Sequence, residues 1–165
     1  MNQIKALVKE MEEQAIVTRV FMERVPVEQF GWQPHEKSMT LISLATHVAE
    51  LPTWVAMCLN TDELDFAAAP YTPEVINTVA ELQAYFEKNY ESGHAALMNT
   101  KETILSENWT MRSGDVIHSV DTKAEVIRMS YNQLVHHRAQ LGVYFRLLGV
   151  AVPKSFGPTA DETGF

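Results

Sequence analysis

The stretch Asn132-Gln133-Leu134-Val135-His136-His137-Arg138-Ala139-Gln140-Leu141 decides how this chain is read. It lies inside a longer run of helical periodicity, so each polar residue can be given a face. Residues three and four apart share a face of a helix. Ser130, Gln133, His137, Leu141, Tyr144 and Leu148 therefore form one line, and Met129, His136 and Val143 another. The first line is a mostly apolar stripe with Gln133 and His137 one turn apart near its middle. Such a stripe faces a core, and leaving a buried imidazole or amide unpaired costs about 1–3 kcal/mol. Both side chains therefore need partners, and protein, water or a metal ion would each serve.

Working outward, Thr122 with Glu125 three residues later spells a capping box, and Gly149 is a C-terminal stop. The last long helix is thus expected from there to Leu148. Residues 2–24 carry Ile4, Leu7, Val8, Met11, Ala15, Thr18 and Met22 at spacings of three and four, and Pro26 ends that first helix. The connection Pro26–Ser38 holds Trp32, read as an anchor against the core. A second helix is expected from Ser38 or Thr40 to about Asn60, with Leu41, Leu44, Val48, Leu51 and Val55 on its apolar side. His47 falls between Leu44 and Leu51 on that side. Pro52 should kink or divide this helix, because it removes a backbone donor and crowds the preceding turn.

Residues 61–72 read as a loop. Thr72-Pro73-Glu74 reads as a helix start, and a third long helix is expected over 73–106, weakened midway by Gly93. Between 107 and 121 the period breaks around Ser113-Gly114-Asp115, which suits a small hairpin or an ordered loop. The tail from Val150 onward, with two prolines and two glycines, is expected to be extended. These readings give an all-α fold: a single-domain four-helix bundle with long connections, spanning residues 1–165.

A chain of 165 residues, 46% hydrophobic, can bury a substantial core. Its net charge of −8, with 13 scattered Lys and Arg, argues against nucleic acid as a partner. Cys58 is the only cysteine, so there is neither an intrachain disulfide nor a Cys-based zinc framework. No apolar run approaches the roughly 20 residues of a membrane span, and no signal-peptide core is visible. A cytoplasmic location is the expectation.

Three kinds of chemistry could use these residue types. A divalent metal held by His47 and His137, with Gln133 beside them, uses ligand types suited to zinc or nickel and the four-residue spacing that aims two side chains at one point. The bland alternative is a pair of hydrogen-bonded core histidines. A di-iron carboxylate site needs Glu-x-x-His on two helices, and only Glu91-Ser92-Gly93-His94 is present. A Cys58–His47 pair would be about 16 Å apart along a continuous helix, so Cys58 reads as a buried thiol. Arg138 and Arg146 point away from the Gln133/His137 line. Glu50, one turn after His47, is read as a helix-surface carboxylate.

The ordered blocks Pro34-His35-Glu36-Lys37-Ser38-Met39-Thr40, Leu44-Ala45-Thr46-His47-Val48-Ala49-Glu50, His136-His137-Arg138-Ala139-Gln140-Leu141, Tyr144-Phe145-Arg146-Leu147-Leu148-Gly149 and Val152-Pro153 before Phe156-Gly157-Pro158-Thr159-Ala160-Asp161 resemble the DinB superfamily over nearly the whole chain. The resemblance implies a four-helix bundle, often a homodimer, and a divalent metal, commonly nickel or zinc, on three side chains. One matches His47. The other two sit four residues apart on the last helix, and the second matches His137. Where the family usually has His, and the related mycothiol-dependent isomerases a carboxylate, this chain has Gln133, a weaker ligand. The resemblance implies a metal-dependent transferase or hydrolase acting on a small molecule, with a low-molecular-weight thiol as cosubstrate. The alternative is a stress-induced, non-enzymatic binding bundle whose metal site has degenerated.

Overall fold

Five α-helices and a three-stranded sheet make up the computed structural model, which describes residues 2–68 and 71–164. Helix α1 spans Gln3–Glu23, with Asn2 Oδ1 accepting the Lys5 amide at its start. Helix α2, Leu41–Glu50, is capped by Thr40, and α3, Thr53–Asn60, follows after a 44° bend at Pro52. Strand β1 is Glu63–Asp65, and α4 is Val79–Asn99. Strands β2, Asn108–Ser113, and β3, Val116–Thr122, precede α5, Lys123–Leu147.

The all-α expectation is corrected by the sheet, whose order is β1-β2-β3. β2 and β3 form an antiparallel hairpin closed by Gly114-Asp115, with Gly114 at φ +56°, a conformation glycine adopts freely. β1 arises within the segment expected to be loop. It pairs parallel with β2, Glu63 opposite Thr110. Side chains fix this pairing: Arg112 reaches Glu63 at 2.7 Å, and Asp65 Oδ1 accepts the Gly114 amide at 2.9 Å.

The third helix is shorter than 73–106. Thr78 and Glu81 cap each other's backbone amides, and Glu81 also takes the amide of Asn77. That reciprocal box outcompetes the Thr72-Pro73 start, which satisfies fewer of the free donors. At the other end α4 stops at Asn99, and Glu102–Ser106 forms a separate 3-10 turn.

The main core joins α1, α2, α4 and α5 through residues such as Phe21, Met22, Leu41, Leu44, Val48, Leu82, Phe86, Leu141 and Phe145. Cys58, Trp109 and Val126 bury a smaller cluster under the sheet. The break at Pro52 lies inside this packing, and side chains from two other helices bond carbonyls on its α2 side. Asn89 Nδ2 donates to Ala49 at 3.1 Å, and Ser130 Oγ donates to Leu51 at 2.8 Å. Gly93 belongs to the same junction. A Cβ there would lie 2.3 Å from the Pro52 carbonyl oxygen, so α4 approaches the bend as only glycine permits.

Among the described residues, Arg138 is buried without a carboxylate partner. Its guanidinium donates to the Gln14 carbonyl, the Gln14 side-chain oxygen and Thr18 Oγ1, locking α5 to α1. Burial pulls its pKa down to about 10. Arg146 turns instead to the C-terminal tail and grips Asp161 with two nitrogens, at 3.2 and 2.5 Å. Among the described residues no single helix is long and apolar enough to cross a membrane.

Candidate metal centre

His47 leaves α2 from the turn before Glu50, and His137 leaves α5 near its middle. Their rings meet edge to face with centroids 4.6 Å apart. Both are half-buried. The two helices converge there because the apolar residues around each histidine, Leu44, Val48, Leu134 and Leu141, are shared core.

Each ring is held by its Nδ1. His47 Nδ1 lies 2.7 Å from Glu50 Oε1, and His137 Nδ1 lies 3.2 Å from Gln140 Oε1. A carboxylate and an amide oxygen only accept, so each Nδ1 carries a proton, and on a neutral ring the lone pair then falls to Nε2. Burial pushes His137 below the ordinary imidazole value. The hydrogen bond to Gln140 acts upward, and His47 and His136 push downward again. A neutral ring is the form a metal requires.

Glu50 departs from the surface role read for it. It is 8% exposed, and its second oxygen accepts the Tyr71 hydroxyl at 2.8 Å. Glu50 is legible as i+3 to His47 on a helix, whereas Tyr71 comes from a linker with no periodicity to flag it. Gln140 is the other residue the sequence reading passed over. It also bridges outward, donating from Nε2 to Nε2 of His136 at 2.9 Å.

Gln133 stands one turn before His137, half-buried, and makes no hydrogen bond to either ring among the described residues. It shares a shallow surface depression with Met129, Asn132 and His136. Among the described residues no three His, Cys, Asp or Glu side chains converge into a ready ligand set. His94 is turned to α1 and bonds Glu12 at 2.9 Å, while Glu91 is exposed, so these two form no metal pair. The Cys58 thiol is buried, donates to the Lys123 carbonyl at 3.6 Å, and is pushed up to about 12 by that burial.

A cleft of about 620 Å³, lined by neither histidine, opens between the 33–43 segment and the 71–76 linker. Ser43 and Thr46 of α2 line it on one side, Tyr71, Glu74 and Val75 on the other, with Met39 at one end. Ser43 precedes His47 by four residues, so the cleft and the imidazole share a helix face. Among the described residues no Lys or Arg lines the cleft.

The profile of the DinB family matches residues 1–162 of this chain. Among solved structures, a DinB-like protein from Bacillus subtilis is similar at 17% identity, with a TM-score of 0.71, covering 91% of this chain and 97% of that one. A DinB-like protein from Bacillus cereus is similar at 17% identity and a TM-score of 0.72, covering 93% of this chain and 99% of that one. At that identity the likeness speaks for the fold. No curated protein matches the chain significantly.

Proposed function

The chain belongs to the DinB family, and we propose that it is a metal-dependent enzyme whose divalent ion, nickel or zinc, is held by His47, His137 and Gln133. In this reading α2 and α3 count as one bent member of a four-helix bundle with α1, α4 and α5. One observation carries the proposal: two imidazoles from different helices lie 4.6 Å apart, each with its Nδ1 engaged and its Nε2 left for a ligand. Histidines that ligate metals almost always donate their other nitrogen to a carboxylate or carbonyl. The donor set fits a borderline cation, with Gln133 contributing the weakest bond.

When bound, such an ion lowers the pKa of a coordinated water or thiol and polarises an oxygen of the substrate. The chain's own residues do the rest. Glu50 keeps the proton on Nδ1 of His47, and Gln140 does so for His137. The cleft lined by Ser43 and Thr46, on the same helix as His47, holds a small molecule of transferase or hydrolase chemistry. Its hydroxyl-rich wall with Glu74 suits a neutral or amine-bearing substrate. A low-molecular-weight thiol would bring its sulfur as the nucleophile, but carboxylates on such a thiol would meet no cation in the lining.

Nickel and zinc binding to the purified, chelator-stripped chain, followed by calorimetry and elemental analysis, tests this. One ion per chain is expected, and His47→Ala and His137→Ala should each weaken binding by more than about 100-fold. No uptake by the wild-type chain, or uptake that ignores both substitutions, overturns the proposal. A second reading, a metal-free binding module, is favoured by the lack, among the described residues, of a converged trio of stronger ligands. It predicts that the cleft takes small molecules with no ion bound.

A further inference from the structure

We propose that Tyr71 is a positioning residue for His47: its phenol fixes Glu50, and Glu50 fixes the ring whose Nε2 faces the proposed ion. This inference rests on the metal reading above. The two links are short and consecutive, Tyr71 Oη to Glu50 Oε2 at 2.8 Å and Glu50 Oε1 to His47 Nδ1 at 2.7 Å.

Glu50 makes no contact with a Lys or Arg among the described residues, although it is buried. Its two oxygens are served by one phenol and one imidazole. Removing either donor leaves a buried carboxylate short of a partner, and it would have to turn toward water to recover one. Turning it releases Nδ1 of His47, and with it the orientation and tautomer of the ring. The ring of Tyr71 is largely exposed, yet its hydroxyl end is tucked against Glu50. Burial of that end, and then the hydrogen bond to the carboxylate, push the phenol above its ordinary value.

Tyr71 also forms part of the cleft wall, together with Thr46 and Ser43. A molecule entering the cleft therefore touches the residue that steadies the metal ligand. A ligand that displaces the phenol loosens His47, and one that presses on it tightens His47. Linkage makes the effect reciprocal, so a bound ion changes affinity for the cleft ligand by the same factor.

The test uses the full chain as wild type, Tyr71→Phe, Glu50→Gln and the double variant. Nickel binding is measured by calorimetry. Imidazole tautomers are read in the metal-free proteins by nitrogen-15 NMR at fixed pH. Glu50→Gln is expected to weaken nickel binding about tenfold or more, and Tyr71→Phe by a smaller factor of about three to ten. The double variant should be no weaker than Glu50→Gln alone, because both act along one path. The Nδ1–H signal of His47 should shift in Tyr71→Phe and be altered further in Glu50→Gln, with melting temperatures close to wild type. A wild-type chain that binds nickel through His47, beside a Tyr71→Phe chain matching it in affinity and spectrum, overturns this inference and leaves the metal reading standing. Fully additive losses in the double variant overturn the route through Glu50. No nickel uptake by wild type overturns the metal reading itself, and this inference with it.

Discussion

Ser130 on α5 donates its hydroxyl to the carbonyl of Leu51 at 2.8 Å, at the point where α2 gives way to α3. Asn89 on α4 does the same for Ala49. The bend at Pro52 is therefore a junction of three segments, each supplying something the others lack. Asn89→Ala should lower the free energy of unfolding by about 1–3 kcal/mol, the cost of a buried carbonyl left without its donor, and Ser130→Ala by about 0.5–1.5 kcal/mol, because the Leu51 carbonyl still accepts the Trp54 amide at 3.1 Å. Urea denaturation measures this. Curves superimposable on wild type would mean that water reaches these carbonyls.

Gly93 presents the opposite situation, a helix position where the usual benefit of alanine is lost. Alanine is favoured over glycine in a helix by about 1 kcal/mol. Here its methyl would meet the Pro52 oxygen at 2.3 Å and the Met11 Cε at 2.7 Å. Met11 can move aside, but the Pro52 carbonyl is backbone. Gly93→Ala should destabilise by about 1–3 kcal/mol net, as overpacked cores do. A raised melting temperature would show that α4 stands farther from the bend.

The C-terminal tail is held by acids. The Arg146 guanidinium, and then the Val152 amide, hold Asp161 below the usual carboxylate range. The Lys154 amide, and then Arg24, do so for Glu162. Both folded values are depressed, so the docking they give is complete above the ordinary values of 3.8 and 4.5 and is lost as pH falls through the lower folded ones. The amide resonances of Val152 and Lys154 should titrate with midpoints below those ordinary values. Midpoints at or above them would show that the tail is not clamped this way.

Gln133 is the residue to change at the centre. An imidazole is a far better ligand than a neutral amide for nickel or zinc. Gln133→His should raise nickel affinity by at least about tenfold, a gain of about 1.4 kcal/mol, provided the side chain reaches the space beside His47 and His137. Calorimetry at matched pH decides it. Unchanged affinity would mean that this position is turned to the surface depression around His136 and takes no part.

Much of the frame was legible because its signals are local. Thr122 with Glu125, Gly149, the stripe of Leu41, Leu44, Val48, Leu51 and Val55, and the break at Pro52 each announce themselves within a few residues. The pairing of His47 with His137 was one of the alternatives that two apolar stripes, each carrying one imidazole, left open, and the family resemblance favoured it; the rings do meet, with centroids 4.6 Å apart. What stayed hidden depends on partners distant in sequence. β1 is three residues whose strand character comes from β2, 47 positions away at Glu63 and Thr110. The start of α4 turned on a competition between two plausible caps, and the one with the reciprocal Glu81 prevailed. Tyr71 has no pattern around it, since its role comes entirely from a carboxylate 21 residues earlier.

Cys58 sits in the small cluster beneath the sheet, walled in by Trp109 and Val126. Oxidants and electrophiles meet no sulfhydryl on the native exterior, and two copies cannot cross-link through sulfur without first opening that wall. In the reaction proposed above, a reactive thiol would therefore have to be the small molecule's own, since Cys58 is walled off.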